Sequence, residues 1–201
     1  TLFPYTTLFR SKHGLNTIES IKAMHSFKVK VFFALGGNFL SATPDTEYVA
    51  QALMNCRLTV HVSTKLNRSH LVTGKKALIL PCLGRTEIDI QQGAPQCVSI
   101  ENSMGVVHAS RGQLVPASPY LKSEIAIICG LAEAVFKDRG GCDIDWQKMA
   151  ANYDDIRESI SRVIPGFADF NGKLRNPNGF RLPHPVRDKL DFKTSTGKAR
   201  L

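Results

Sequence analysis

The stretch VKVFFALGGN, residues 29–38, decides the fold that the sequence predicts. Its β-branched and aromatic residues form an apolar run typical of a strand buried in a sheet, and Gly36, Gly37 and Asn38 then form a tight turn. Helical spacing of apolar residues precedes the strand over residues 17–25, where Asn16 is the expected N-cap, and follows it over residues 44–54. The pattern predicts a strand between two helices.

Two further apolar runs, at residues 58–62 and 77–80, predict the next strands. Alternation of helices and strands is typical of a parallel sheet with helices packed on it. The predicted fold class is therefore α/β: a Rossmann-like layered domain with a mainly parallel sheet, over residues 12–165, followed by an irregular connector over residues 166–201.

Beyond residue 84 the periodicity is uneven. Residues 84–119 are interrupted by Gly, Pro, Ser and Asn, and they predict a long irregular stretch with one short strand at residues 97–100. Helices are predicted at residues 124–136, which a Gly140-Gly141 stop would end, and at residues 145–151 and 154–163.

The first eleven residues, TLFPYTTLFRS, show neither helical nor strand periodicity and no signal-peptide pattern. The peptide is what a common sequencing-library adapter would encode. We therefore interpret residues 1–11 as a non-native segment, the alternative being a natural flexible terminus.

Composition restricts the function classes. Lys and Arg number 26 against 17 Asp and Glu, a formal net charge of +9, which raises the question of a nucleic-acid partner. The basic residues are dispersed and lack interleaved aromatic residues, so we predict no nucleic-acid partner; an anionic cofactor or a solvated surface accounts for the charge equally well.

The cysteines and the hydropathy pattern indicate the environment. The five cysteines form no CxxC or CxH pair, so we expect reduced, mostly buried thiols and no iron–sulfur or zinc ligands. No run reaches the roughly 20 apolar residues that span a bilayer, so we expect no membrane span and a cytoplasmic location.

Polar side chains follow two of the predicted strands. The Gly36–Gly37–Asn38 turn offers backbone amides that a phosphate can approach without meeting a Cβ, and the stretch HVSTKLNRS, residues 61–69, offers hydroxyl, amide and cationic donors. The carboxyl ends of parallel strands are where ligands bind in open α/β sheets. The alternative for the glycine turn alone is a plain turn, since no GxGxxG or Walker pattern is present.

No catalytic motif stands out. Nucleophile-elbow and HExxH patterns are absent, and Cys82 and His108 are interpreted as a buried thiol and a surface histidine in loops. We predict no catalytic residue and no metal ligand in this chain.

Together the quoted stretches, with ENSMGVVHASRGQLVPASPYLKSEIAI (residues 101–127), IRESISRVIPGFADFN (156–171) and TSTGKAR (194–200), resemble the molybdopterin oxidoreductases of the FdhF/YdeP type, relatives of the formate dehydrogenase alpha subunit. The resemblance covers residues 12–201 and implies one α/β domain of a larger enzyme. It implies a bis(molybdopterin guanine dinucleotide) cofactor with molybdenum in that parent enzyme. It also suggests formate as the substrate, because formate dehydrogenases are the relatives in question.

The resemblance also implies roles for individual residues. Gly36, Gly37 and Asn38 would contact the phosphates of one guanine dinucleotide, and Glu87 and the loop ending at His108 would approach the cofactor or a neighbouring domain. Five residues would line the other side of the nucleotide: Ser63, Thr64, Lys65, Asn67 and Ser69. In wider relatives a TxTA-like pattern stands where this chain has KLNRS.

By the same resemblance, the molybdenum ligand and the cysteines of a possible 4Fe-4S cluster lie elsewhere in the parent, so we expect the chain alone to be inactive. Its partners would be the remaining domains and an electron-transfer partner. The competing interpretation is a self-contained nucleotide-binding or regulatory α/β module, which the complete-looking core and the positive charge favour.

Overall fold

The computed structural model describes residues 14–137 and 143–199. The predicted non-native segment and the Gly140-Gly141 helix stop lie outside these residues, as does Cys142. Contacts divide the described chain into two compact units. The first unit comprises residues 14–84 and 116–124, and the second comprises residues 85–115 and 125–199 without the gap. The predicted domain boundaries at residues 11 and 165 stay predictions.

The first unit contains a three-stranded parallel sheet in the order β1-β2-β3. The strands are β1 (Val31–Leu35), β2 (Leu58–Ser63) and β3 (Lys76–Pro81). Val31 pairs with Leu58, and Leu58 pairs with Lys76, so all three strands end at the same edge. The parallel sheet confirms the predicted α/β class.

Helices α1 (Thr17–His25), α2 (Phe39–Ala42) and α3 (Thr46–Met54) belong to the same unit. The Asn16 side chain accepts from the Glu19 amide and the Asp45 side chain accepts from the Tyr48 amide, which caps α1 and α3 and fixes where each begins. Apolar residues at helical spacing form a buried cluster of Ile21, Met24, Leu40, Val49, Ala52, Leu53 and Cys56. Burying each large aliphatic side chain there stabilises the fold by about 1.5–3 kcal/mol.

The second unit contains two antiparallel sheets. A two-stranded hairpin joins β4 (Ile90–Gln91) to β5 (Ala94–Pro95). A three-stranded sheet has the order β6 (Val98–Glu101), β7 (Val106–Ser110), β8 (Phe180–Arg181). The strand predicted at residues 97–100 is confirmed as β6, but the remainder of residues 84–119 is more regular than predicted. Strands of two to five residues are too short to produce a readable alternation among Gly and Pro.

Five helices lie after residue 123: α4 (Glu124–Phe136), α5 (Trp146–Ala151), α6 (Tyr153–Val163), α7 (Phe170–Leu174) and α8 (Pro185–Lys189). The first three confirm the predicted helices. α7, β8 and α8 differ from the irregular connector that the sequence predicts. Phe170 and Leu174 pack with Val107 in a buried cluster, where Phe167 and Phe180 meet Phe170 edge-on, and this packing orders segments too short to show periodicity.

The described cysteines form no disulfide, and Cys56, Cys82 and Cys129 are buried, as predicted. Burial raises the pKa of the Cys56 and Cys129 thiols, so both stay protonated and weakly reactive. No helix in the described part of the chain is long and apolar enough to cross a membrane.

Candidate functional site

The glycine turn leaves β1 in a conformation that favours glycine. Gly36 and Gly37 have φ of +67° and +74°, in the left-handed region. The Gly36 amide donates to the Val62 carbonyl of the neighbouring strand over 2.8 Å. A Cβ built on Gly37 meets no atom within 4 Å, so the turn is open on that side. At the carboxyl edge of the sheet, the backbone of the turn therefore has free space beside Gly37 that a ligand could occupy.

The loop after β2 is tied to this turn by side-chain hydrogen bonds. The Asn67 amide Nδ2 donates to the Gly37 carbonyl over 2.8 Å. The Ser69 hydroxyl donates to Asn38 Oδ1 over 3.0 Å and accepts from the Leu40 amide over 2.9 Å. Two loops separated by about thirty residues of sequence thus form one hydrogen-bonded surface.

Within the loop, side chains divide into internal and outward groups. The Asn67 Oδ1 accepts from the Ser69 amide, and the Ser63 hydroxyl donates to the Lys65 carbonyl, so these groups hold the loop's own shape. Thr64, Lys65 and Arg68 are exposed. Leu66 is exposed as well. The outward polar groups are one hydroxyl and two cations, donors suited to an anion.

One anionic side chain lies on the other flank of the turn. A Cβ built on Gly36 would lie 3.5 Å from the Glu124 Oε1 atom. A carboxylate there repels a phosphate. The electrostatics therefore favour an anion on the side of Gly37 and Lys65.

Two buried histidines lie behind the loop. His61 on β2 is 3% exposed and His70, in the 3-10 turn Arg68–Leu71, is 8% exposed, and their ring centroids are 4.9 Å apart. The Nε2 atoms of both rings are buried without a hydrogen-bond partner among the described residues, which costs about 1–3 kcal/mol for each unpaired group. Burial, and secondarily the charge of His70, lower the pKa of His61 from its usual 6.5.

His70 joins this pair to the loop. The Asn67 backbone amide donates to His70 Nδ1 over 3.0 Å, and the Asn67 side chain caps the same 3-10 turn. The sequence reasoning missed both histidines. The sequence signal that could have found His70 was the spacing of a capping box: Asn67 as the N-cap, followed three residues later by a polar side chain that can bond back to the Asn67 backbone.

The predicted residues are brought together in part. The first unit contains Gly36, Gly37, Asn38, Ser63, Thr64, Lys65, Asn67 and Ser69 at one sheet edge. Glu87 and His108 belong to the second unit, where Glu87 forms an isolated bridge with Leu114 and half-buried His108 pairs with Ile100. In residues 14–137 and 143–199 no three His, Cys, Asp or Glu side chains form a group that could hold a metal ion.

Some of the known proteins similar to this chain are named oxidoreductases. Over 187 residues it is 54% identical to proteins named uncharacterized oxidoreductase from Mycobacterium tuberculosis and Mycobacterium bovis, a match covering 93% of this chain and 24% of each relative. Over 186 residues it is 42% identical to a protein named YdeP from Escherichia coli, again covering 24% of it. The chain therefore spans about a quarter of the length of the curated relatives that it matches. No family model matches the chain.

Proposed function

We propose that this chain is part of a larger molybdenum-dependent oxidoreductase, similar to formate dehydrogenase, in which it binds the phosphates of one molybdopterin guanine dinucleotide. One observation carries the proposal: the open, left-handed Gly36-Gly37 turn is hydrogen-bonded to a loop that presents Thr64 and Lys65 at the same edge of a parallel sheet. Relatives that are named oxidoreductases support the reaction class.

The residues fit the phosphates of such a cofactor. A Cβ-free approach exists at Gly37, and exposed cationic side chains at Lys65 and Arg68 complement a pyrophosphate. Because Glu124 flanks Gly36, the phosphates would lie towards Gly37 rather than Gly36. A formal net charge of +9 is consistent with an anionic ligand.

Each residue then has a role of its own in binding. The Gly37 and Asn38 backbone and the Thr64 hydroxyl would donate to phosphate oxygens, and Lys65 would neutralise their charge. Ser63, Asn67 and Ser69 would act indirectly by fixing both loops, because their side chains already bond within the protein. Preformed donors bind an anion more tightly, since no loop must be ordered on binding.

The bound molybdenum cofactor would supply the two-electron oxidation or reduction of the substrate, with formate the substrate that the resemblance suggests. This chain would orient the cofactor through its phosphates, while the metal ligand and any 4Fe-4S cluster would belong to other parts of the parent. Contacts of Glu87 and His108 with the cofactor or a neighbouring domain, a cytoplasmic location and an electron-transfer partner are parts of the same proposal.

The test is the cofactor content of the intact protein that contains this chain. Purified from a host that makes the molybdenum cofactor, it should contain molybdenum and a guanine-nucleotide pterin, with two pterins for each molybdenum. Replacing Lys65 with Glu should lower both, whereas replacing the exposed Lys22 of α1 with Glu should not. A folded protein free of molybdenum and pterin would refute the proposal, and GDP binding by such a protein would favour a self-contained nucleotide-binding module.

A further inference from the structure

We infer that His70, packed against His61, is a positioning residue that holds the phosphate-binding turn in place through an acceptor nitrogen, Nδ1. The inference rests on the proposed function, because it concerns how the same two loops are held.

A continuous path of hydrogen bonds runs from His70 to the turn. The Asn67 backbone amide donates to His70 Nδ1 over 3.0 Å, and the Asn67 side-chain amide donates to the Gly37 carbonyl over 2.8 Å. The Asn67 Oδ1 also accepts from the Ser69 amide over 2.9 Å, and Ser69 in turn bonds Asn38. Both glycine-turn bonds thus depend on the orientation of one asparagine that His70 fixes.

The bond at Nδ1 requires a neutral ring. A nitrogen that accepts from the Asn67 amide carries a lone pair, so the proton of neutral His70 is on Nε2. Protonation turns Nδ1 into a donor, which cannot accept from that amide. The Asn67 carbonyl and Oδ1, each 3.2 Å from Nδ1, would then become its acceptors, and Oδ1 is the atom that caps Ser69.

Packing fixes the orientation of the His70 ring. His61 lies between Ala34 of β1 and Ile79 of β3 in the sheet register, and its ring contacts Phe32 and His70. Both histidines are buried, which leaves the His70 ring little freedom to turn Nδ1 away from Asn67.

The test compares GDP binding by the 201-residue chain and its variants at one pH. His70→Asn keeps an acceptor near the position of Nδ1, and His70→Phe removes that acceptor. His25→Phe, which keeps a ring against Tyr48, is the control for loss of a histidine.

We expect His25→Phe and His70→Asn to bind GDP like wild type, and His70→Phe to bind it about tenfold more weakly, the loss that one broken hydrogen bond produces. Rescue by His70→Asn separates the loss of the acceptor from the loss of the ring. Equal affinities for His70→Phe and wild type, or equal affinities for His70→Asn and His70→Phe, would overturn the inference.

NMR of the wild-type chain keeps the inference testable if His70→Phe fails to fold or GDP fails to bind. The ring nitrogen shifts of His70 should show Nδ1 without a proton and Nε2 with one, because Nδ1 accepts from the Asn67 backbone amide. A ring that carries its proton on Nδ1 would overturn the inference. Absence of GDP binding with an unprotonated Nδ1 would count against the proposed function and leave the positioning role supported.

Discussion

The side-chain amide of Asn67 donates to the main-chain carbonyl of Gly37 over 2.8 Å and so joins the loops that follow two neighbouring parallel strands. Strand register brings the loop ends to the same edge, because Leu35 pairs with Val62, but register alone does not fix their conformations. Asn67 fixes the conformations of both loops, because its Nδ2 donates to Gly37 and its Oδ1 accepts from the Ser69 amide.

Asn67→Asp should therefore destabilise the first unit. The carboxylate keeps the acceptor for the Ser69 amide but cannot donate to Gly37, and it places a negative charge against a carbonyl oxygen. We expect a loss of about 1–2 kcal/mol in the free energy of unfolding, measured by urea denaturation. Asn176→Asp is the matched control, because Asn176 uses its side-chain oxygen as an acceptor for Asn178. Equal stability of the Asn67 variant and wild type would contradict the structural role.

Gly37→Ala separates backbone strain from steric clash. Its φ of +74° disfavours a Cβ, while no atom lies within 4 Å of the position that the Cβ would take. We expect destabilisation by about 1–2 kcal/mol in thermal unfolding and weaker GDP binding. Gly130→Ala, in the middle of helix α4 and equally uncrowded, should instead stabilise the chain by about 0.5–1 kcal/mol. A stabilising effect at Gly37 would show that the turn is not left-handed.

Gly179→Ala tests the close approach of β8 to β7. A Cβ on Gly179 would lie 2.1 Å from the Val107 carbonyl oxygen and 2.9 Å from the His108 Cβ. Backbone atoms cannot yield at such distances, so we expect a loss of about 3 kcal/mol or more in the free energy of unfolding. Gly197→Ala has the same φ of +66° but open space, and it should lose no more than about 1–2 kcal/mol. Similar losses in the two variants would contradict the packing of β8.

The stability of the first unit should depend on pH through His61. Its pKa is lowered in the folded chain, so the unfolded chain takes up the proton first as pH falls. The stabilisation is complete above the unfolded pKa of about 6.5 and is lost as pH falls from there through the folded-state pKa, by at most about 1.4 kcal/mol per pH unit.

Urea denaturation between about pH 5 and pH 8 measures this dependence. His61→Phe should flatten it, because the phenyl ring fills the site without titrating. His25→Phe should leave it unchanged. A pH dependence that survives in His61→Phe would assign it to another group.

The sequence predicts the first unit well because its elements are long enough to show periodicity and are capped by residues with a clear preference. Asn16 caps α1 as predicted, and VKVFFALGGN forms a parallel strand and turn. The second unit is different. β8 pairs with β7 across more than seventy residues, and no local pattern of two residues contains that information.

The candidate site divides in the same way. Glycine and hydroxyl-rich strand ends predict where a ligand would bind, since parallel strands share a carboxyl edge. They do not predict that Asn67 and Ser69 are bonded internally, or that His61 and His70 pack behind them, because those facts depend on side-chain directions in the folded chain.

The most direct test of a phosphate site at the glycine turn is an amide NMR titration of the folded chain with GDP. The account predicts that the largest shifts occur at Gly37, Asn38, Thr64 and Lys65, that inorganic pyrophosphate competes for the same amides, and that Lys65→Glu abolishes them. Shifts that are absent from these amides at millimolar GDP, or that concentrate in residues 85–115 instead, would contradict it.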